Sequence, residues 1–97
     1  MFGREVTTEE SQELFNAILK LKNIEECQMF FRDLCTLKEL SDMAERLRVA
    51  KKVSNNIPYR KIAEETGSST ATITRVAHWL NHGMGGYLLV LERLKQK

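Results

Sequence analysis

The sequence predicts an all-α fold of about six helices, and three features carry that expectation. Apolar residues recur three and four positions apart along most of the chain, the period of a helix with one inward stripe. Strict apolar/polar alternation, the mark of a half-buried strand, is nearly absent. The single proline, Pro58, falls between two periodic segments and interrupts neither. With 97 residues the chain is expected to form one domain, residues 1–97, with residues 1–6 disordered.

The elements follow in order. Leu14, Ile18 and Leu21 mark a first helix, opened by the capping-box pattern Thr7-x-x-Glu10. A second helix runs from about Ile24 to Leu34. Leu37, Leu40, Met43, Ala44, Leu47 and Ala50 form the stripe of a third, again behind a capping box, Thr36-Leu37-Lys38-Glu39. Ser54-Asn55-Asn56 ends it, and Pro58 suits the first turn of a short helix that stops at Gly67. A longer helix from Thr70 to about Asn81 turns Ile73, Val76, Ala77 and Leu80 inward. Gly83-Met84-Gly85-Gly86 is a turn, and Tyr87, Leu88, Leu91 and Leu94 open the last stripe.

Several helices are apolar on more than one side. Phe15 and Leu19 lie beside the first stripe, Phe30-Phe31 crowd the second helix, and Leu89 and Val90 fall off the last stripe. Short helices of this kind need more neighbours than one small bundle offers, so a homodimer is expected.

Composition narrows the function. No run approaches the roughly 20 apolar residues of a bilayer span, and MFGREVTTEE lacks a signal-peptide pattern, so a cytoplasmic protein is expected. Cys27 and Cys35, eight apart, fit no zinc spacing and read as small buried hydrophobes in a reducing compartment. The net charge of +2 conceals an asymmetry: residues 1–45 hold 5 Lys/Arg against 10 Asp/Glu, and residues 46–97 hold 10 against 3. A basic second half suggests a polyanionic partner.

That half contains the stretch GSSTATITRVAHWL, residues 67–80. Five of the seven residues from Ser68 to Thr74 carry a hydroxyl, although threonine is a mediocre helix former. The layout around it is that of a helix-turn-helix over about residues 58–82. Ala63 is small enough for two helices to cross closely, Gly67 can adopt the left-handed turn conformation, Ser69 can cap the second helix, and Ile73 and Val76 complete an apolar seam. In such a unit the start of the second helix enters the major groove of DNA. Short hydroxyl side chains let it approach, donate to phosphates and touch thymine methyl groups. Ser68, Ser69, Thr70, Ala71, Thr72 and Thr74 are therefore the candidate groove contacts. Arg60 and Lys61 on the first helix of the pair, with Lys51 and Lys52 at the end of the preceding one, are the candidate backbone contacts.

The residues Ala71-Thr72-Ile73-Thr74-Arg75 resemble the start of the DNA-reading helix of the tryptophan repressor. The segments DLCTLKEL, MAERLRVAKKV and YRKIAEETGSSTATITRVAHWLNHG look still more like the YerC/YecD branch of that superfamily. The resemblance implies an entwined homodimer that presents two helix-turn-helix units to successive major grooves, roughly 34 Å apart. It implies a transcriptional regulator, most simply a repressor of double-stranded DNA sites.

The repressor holds tryptophan with a threonine, an arginine ten residues on, and the arginine of ATITR; Thr36, Arg46 and Arg75 match those positions. Val76 and Trp79 stand where the repressor has a glycine and a serine. Both take up room, so no cofactor is expected and L-tryptophan is disfavoured as co-repressor. Trp79 is expected to fill part of the space, with the Arg75 guanidinium over its ring. Two other functions fit the same residues: a dimer whose helix-turn-helix docks a protein, and a metabolite sensor with an altered pocket.

Other chemistries find little support. His78 and His82 lie four apart but have no third ligand nearby in sequence, so no metal site is expected. The glycine run lacks the strand and spacing of a phosphate cradle. No nucleophile–base set is suggested, and the chain is not expected to be an enzyme.

Overall fold

Six α-helices and no strand make up residues 7–96, which the computed structural model describes. They are α1 (Glu9–Ile18), α2 (Ile24–Leu34), α3 (Leu37–Ser54), α4 (Tyr59–Thr66), α5 (Thr70–His82) and α6 (Gly86–Lys95). The expectation of disorder over residues 1–6 lies outside the described residues. The helices divide into two units, one ending at Leu37 and one beginning at Lys38.

The first unit holds α1 and α2. The cap of α1 is one residue later than expected: Thr8, not Thr7, accepts from the Ser11 amide at 3.1 Å. The helix also stops sooner, at Ile18. Leu21 lies in the turn beyond it, where its amide donates to the Ile18 carbonyl at 3.1 Å. At the head of α2 the Asn23 side chain accepts from the Glu26 amide at 2.8 Å, and the Glu26 carboxylate accepts from the Lys22 amide at 2.9 Å. One orphan donor at that helix start is thereby satisfied, and the amide just ahead of the cap also finds an acceptor.

Neither α1 nor α2 contains a buried residue in the single chain. Leu19 and Ile24 are 79% and 76% exposed, and Met29 and Phe15 are exposed too. Phe30 and Phe31 meet edge to face at 5.6 Å. The cysteines correct the expectation of burial. Cys27 is exposed, Cys35 at the end of α2 is half-buried, both are free, and α2 holds no buried residue.

The second unit contains the core. Val49 and Ala50 from α3, Ile62 from α4, Ile73, Val76 and Leu80 from α5, and Leu91 from α6 form one buried cluster. Val53, Ile57, Ala63 and Tyr87 pack against it. The stripe of α3 is only partly inward, since Met43 and Leu47 are exposed while Val49 and Ala50 are fully buried. The C-terminal end of α3 is therefore the part that meets α4 and α5.

A left-handed Asn56 (φ 61°) ends α3. The Ile57 amide donates to the Lys52 carbonyl at 3.1 Å and the Asn56 amide to the Val53 carbonyl at 2.9 Å, the paired bonds of a Schellman turn. Asparagine tolerates this conformation better than most side chains. Leu88, Leu89, Val90 and Leu94 of α6 are exposed, so only Leu91 and Tyr87 use the last stripe within the chain.

Candidate functional site

Two helices and a three-residue turn form the site. The turn is built from its own hydrogen bonds. The Thr66 hydroxyl donates to the Ile62 carbonyl at 2.7 Å and accepts from the Ser68 amide at 3.2 Å. Between them Gly67 is left-handed (φ 74°) and donates its amide to the Ala63 carbonyl at 2.9 Å. A side chain at that backbone angle is strained even though the space beside it is open. Ile62 and Ile73, one on each helix, are fully buried and close the seam beneath the turn.

Ser69 starts α5 as expected. Its oxygen accepts from the Thr72 amide at 3.1 Å, and its hydroxyl donates to Thr72 Oγ1 at 3.0 Å. Beyond this cap Thr70, Ala71, Thr74, Arg75 and His78 share one shallow, exposed face of α5. Thr72 is half-buried and points toward a different surface. Small residues thus occupy the outward face of the first turns, leaving the backbone of α5 accessible.

Ser68 departs from expectation. It is 6% exposed, and its hydroxyl donates to Glu45 Oε1 of α3 at 2.7 Å. It precedes the helix proper and turns inward, where the expectation needs an exposed hydroxyl. Lys52 departs likewise. Its ammonium lies 3.2 Å from Glu65 of α4, with a side chain only 20% exposed. Arg60, Lys61 and Lys51 are exposed as expected, and among the described residues none of the three forms an ion pair.

A cleft of about 570 Å³ lies between α3, α5 and α6. Arg46, Arg75, Val76 and Trp79 line it together, and Thr72, Lys38, Asp42, Glu45 and Tyr87 complete the wall. Thr36, the remaining pocket candidate, precedes α3 and belongs to the first unit. Lys38 pairs with Asp42 at 3.0 Å, while Arg46 and Arg75 form no ion pair among the described residues. Trp79 is 56% exposed and lines the cleft without filling it. Its ring meets His78 edge-on at 5.3 Å, and no stack with Arg75 forms among the described residues. Side chains four apart on a helix are neighbours, and both of these are exposed.

Several of these residues escape a sequence reading. His78 shares the outward face of α5 because it lies four residues after Thr74, a spacing visible in the sequence. Asp42 and Glu45 sit one helical turn apart on α3, but which wall they form depends on how α5 and α6 pack.

Among the described residues no three His, Cys, Asp or Glu side chains gather in a metal-holding group, and no helix is long and apolar enough to cross a membrane.

Comparison with known proteins agrees with this geometry. The family model described as Trp repressor protein matches residues 9–95. The chain is 49% identical over 87 residues to the uncharacterized protein YerC of Bacillus subtilis (strain 168), covering 90% of this chain and 84% of that one. The crystal structure of a TrpR-like protein from Eubacterium eligens ATCC 27750 superimposes with a TM-score of 0.92 at 44% identity, covering 97% of each chain. A second crystal structure, from Staphylococcus aureus, gives 0.91 at 41% identity over 100% of this chain and 97% of the other. The matched family is one of regulators. A family model matched over residues 9–95 and a fold shared nearly end to end with these structures lead to one conclusion: the chain belongs to the Trp repressor family.

Proposed function

We propose that the protein is a sequence-specific DNA-binding transcriptional regulator that acts as a homodimer and represses by occupying its operator. The observation that carries this reading is the exposed face of Thr70, Ala71 and Thr74 at the start of α5. The first turn presents only small side chains to that face, with Arg75 and His78 joining it further along. Arg60, Lys61 and Lys51 supply unpaired cations for the phosphates, and the N-terminal end of α5 adds its partial positive charge.

The homodimer is supported by the uncovered apolar side chains of α1, α2 and α6, with Leu19, Ile24, Leu88 and Leu94 each more than half exposed. Side chains this large are rarely left in water along several helices of one small protein. A dimer with two reading helices matches a site with two half-sites about one helical turn apart. The regulator is proposed to work in the cytoplasm.

Selection of bound sequences from a random duplex pool tests the proposal directly. The expected product is a pseudo-palindrome bound with a dissociation constant on the order of 10⁻⁸ M or tighter at physiological salt. A pool that enriches no sequence would overturn it in favour of a helix-turn-helix that docks a protein.

A second reading rests on the cleft. Its volume and the two unpaired guanidinium groups of Arg46 and Arg75 suit a small anionic effector. The branched Val76 in its wall argues against L-tryptophan in that role. Thermal-shift measurements against a panel of amino acids separate an effector-controlled regulator from one that needs none.

A further inference from the structure

We propose that Glu45 and Ser68 form a pin that sets the pose of the DNA-reading helix against α3. The inference rests on the DNA-binding reading above. Ser68 is the only polar residue in the buried set among the described residues. Its hydroxyl donates at 2.7 Å to a carboxylate 23 residues earlier in the chain. A hydroxyl–carboxylate bond is charge-assisted, and its burial strengthens it further.

The location gives the bond its role. Ser68 immediately precedes Ser69, the cap from which α5 starts. The place of Ser68 therefore decides where Thr70, Ala71 and Thr74 are presented. The apolar seam of Ile62, Ile73, Val49 and Ala50 holds the helices together, but apolar contact is non-directional and tolerates small rotations. A hydrogen bond has a preferred angle and length and does not. Seven residues after Glu45 on the same face of α3, Lys52 holds Glu65 at 3.2 Å. The two ties grip the chain on either side of Gly67, at the end of α4 and just ahead of α5. Base readout depends on hydrogen bonds that fail with shifts well under 1 Å, so such a grip acts on specificity.

The pin acts through α5, so Ser68 and Glu45 are positioning residues. The test uses the full chain with Ser68→Ala, Glu45→Ala, Glu45→Gln and the double alanine variant. Affinities for the selected operator and for random duplex are measured side by side, and amide exchange of residues 69–74 is followed in the free protein. Ser68→Ala is expected to weaken operator binding about tenfold, while random-duplex binding and its salt slope stay parental. Exchange over residues 69–74 is expected to rise with it. Glu45→Ala should match Ser68→Ala, Glu45→Gln, which keeps an acceptor oxygen, should retain most of the affinity, and the double variant should lose no more than either single one.

Parental operator affinity and parental exchange in Ser68→Ala would overturn the pin, as would losses that simply add. Where Ser68→Ala loses helical content by circular dichroism, the contrast between Glu45→Gln and Glu45→Ala decides, because Glu45 is only half-buried. Failure of the parent to enrich any DNA sequence would refute the DNA-binding reading separately. In that case the exchange measurement alone still judges whether the bond holds the head of α5.

Discussion

Lys52 of α3 and Glu65 of α4 meet at 3.2 Å, joining the helix that enters the core to the first helix of the reading unit. The pair engages Lys52 with a carboxylate, whereas Lys51, Arg60 and Lys61 form no ion pair among the described residues. Each phosphate neutralised contributes about −0.9 to the slope of log affinity against log salt. Lys51→Gln, Arg60→Gln and Lys61→Gln are each expected to flatten that slope by about one unit. Lys52→Gln is expected to leave it nearly unchanged. Titrations of operator binding from low to physiological salt check the contrast.

Gly67 offers a test of the turn. Its φ of 74° lies where a side chain is disfavoured, although no atom would meet an added Cβ within 4 Å. Gly67→Ala is therefore a strain experiment uncomplicated by collision. It is expected to cost about 1–2 kcal/mol of stability, read as a lower midpoint in thermal or denaturant unfolding.

Core truncation should cost more. Ile62 and Ile73 are both fully buried and come from the two helices of the unit. Ile62→Ala or Ile73→Ala is expected to destabilise by about 2–5 kcal/mol, the sum of lost transfer energy and the cavity left behind. Exposed Ile24→Ala, tested in isolated protein under conditions that disfavour association, should cost little by comparison. Urea titration measures both.

Association is tested by charge. Phe15, Leu19 and Leu89 are exposed apolar side chains in the single chain. Leu19→Glu or Leu89→Glu is expected to shift the protein from dimer toward monomer, because burying an unpaired carboxylate costs several kcal/mol. Sedimentation equilibrium reads the outcome. Parental mass in both variants would place the dimer contact elsewhere.

Calorimetric titration with L-tryptophan is expected to give no saturable heat and no gain in operator affinity. Val76 carries this prediction, since its branched side chain lines the cleft where a flat indole would need room. Its replacement by Gly opens that wall, and a heat signal appearing only in this variant would locate the cause.

Helix order was legible from the sequence, and the reasons are local. The span of α2, the start of α5 at its Ser69 cap and the end of α4 at Gly67 all follow from capping chemistry and the 3.6-residue period, which act within a few residues. The misplaced start of α1 is a failure of the same kind. Thr7 and Thr8 are adjacent hydroxyl residues with equal claim to the cap, and Ser11 was the partner that chose Thr8. Trp79 was legible as a residue of the pocket but not as one that leaves it open, because ring orientation depends on contacts such as that with His78.

Residue types and their spacing, acting through neighbours in the chain, were enough to determine an α-helical protein with a helix-turn-helix and small hydroxyl residues at the start of its second helix. Packing alone decided which of those groups reach solvent. Ser68 and Lys52 look equivalent to Ser69 and Lys51 in one dimension, yet each is held by an acidic partner on another element, Glu45 or Glu65. The physical reason is that pairing across 23 or 13 residues depends on where helices cross, and no local propensity encodes that distance.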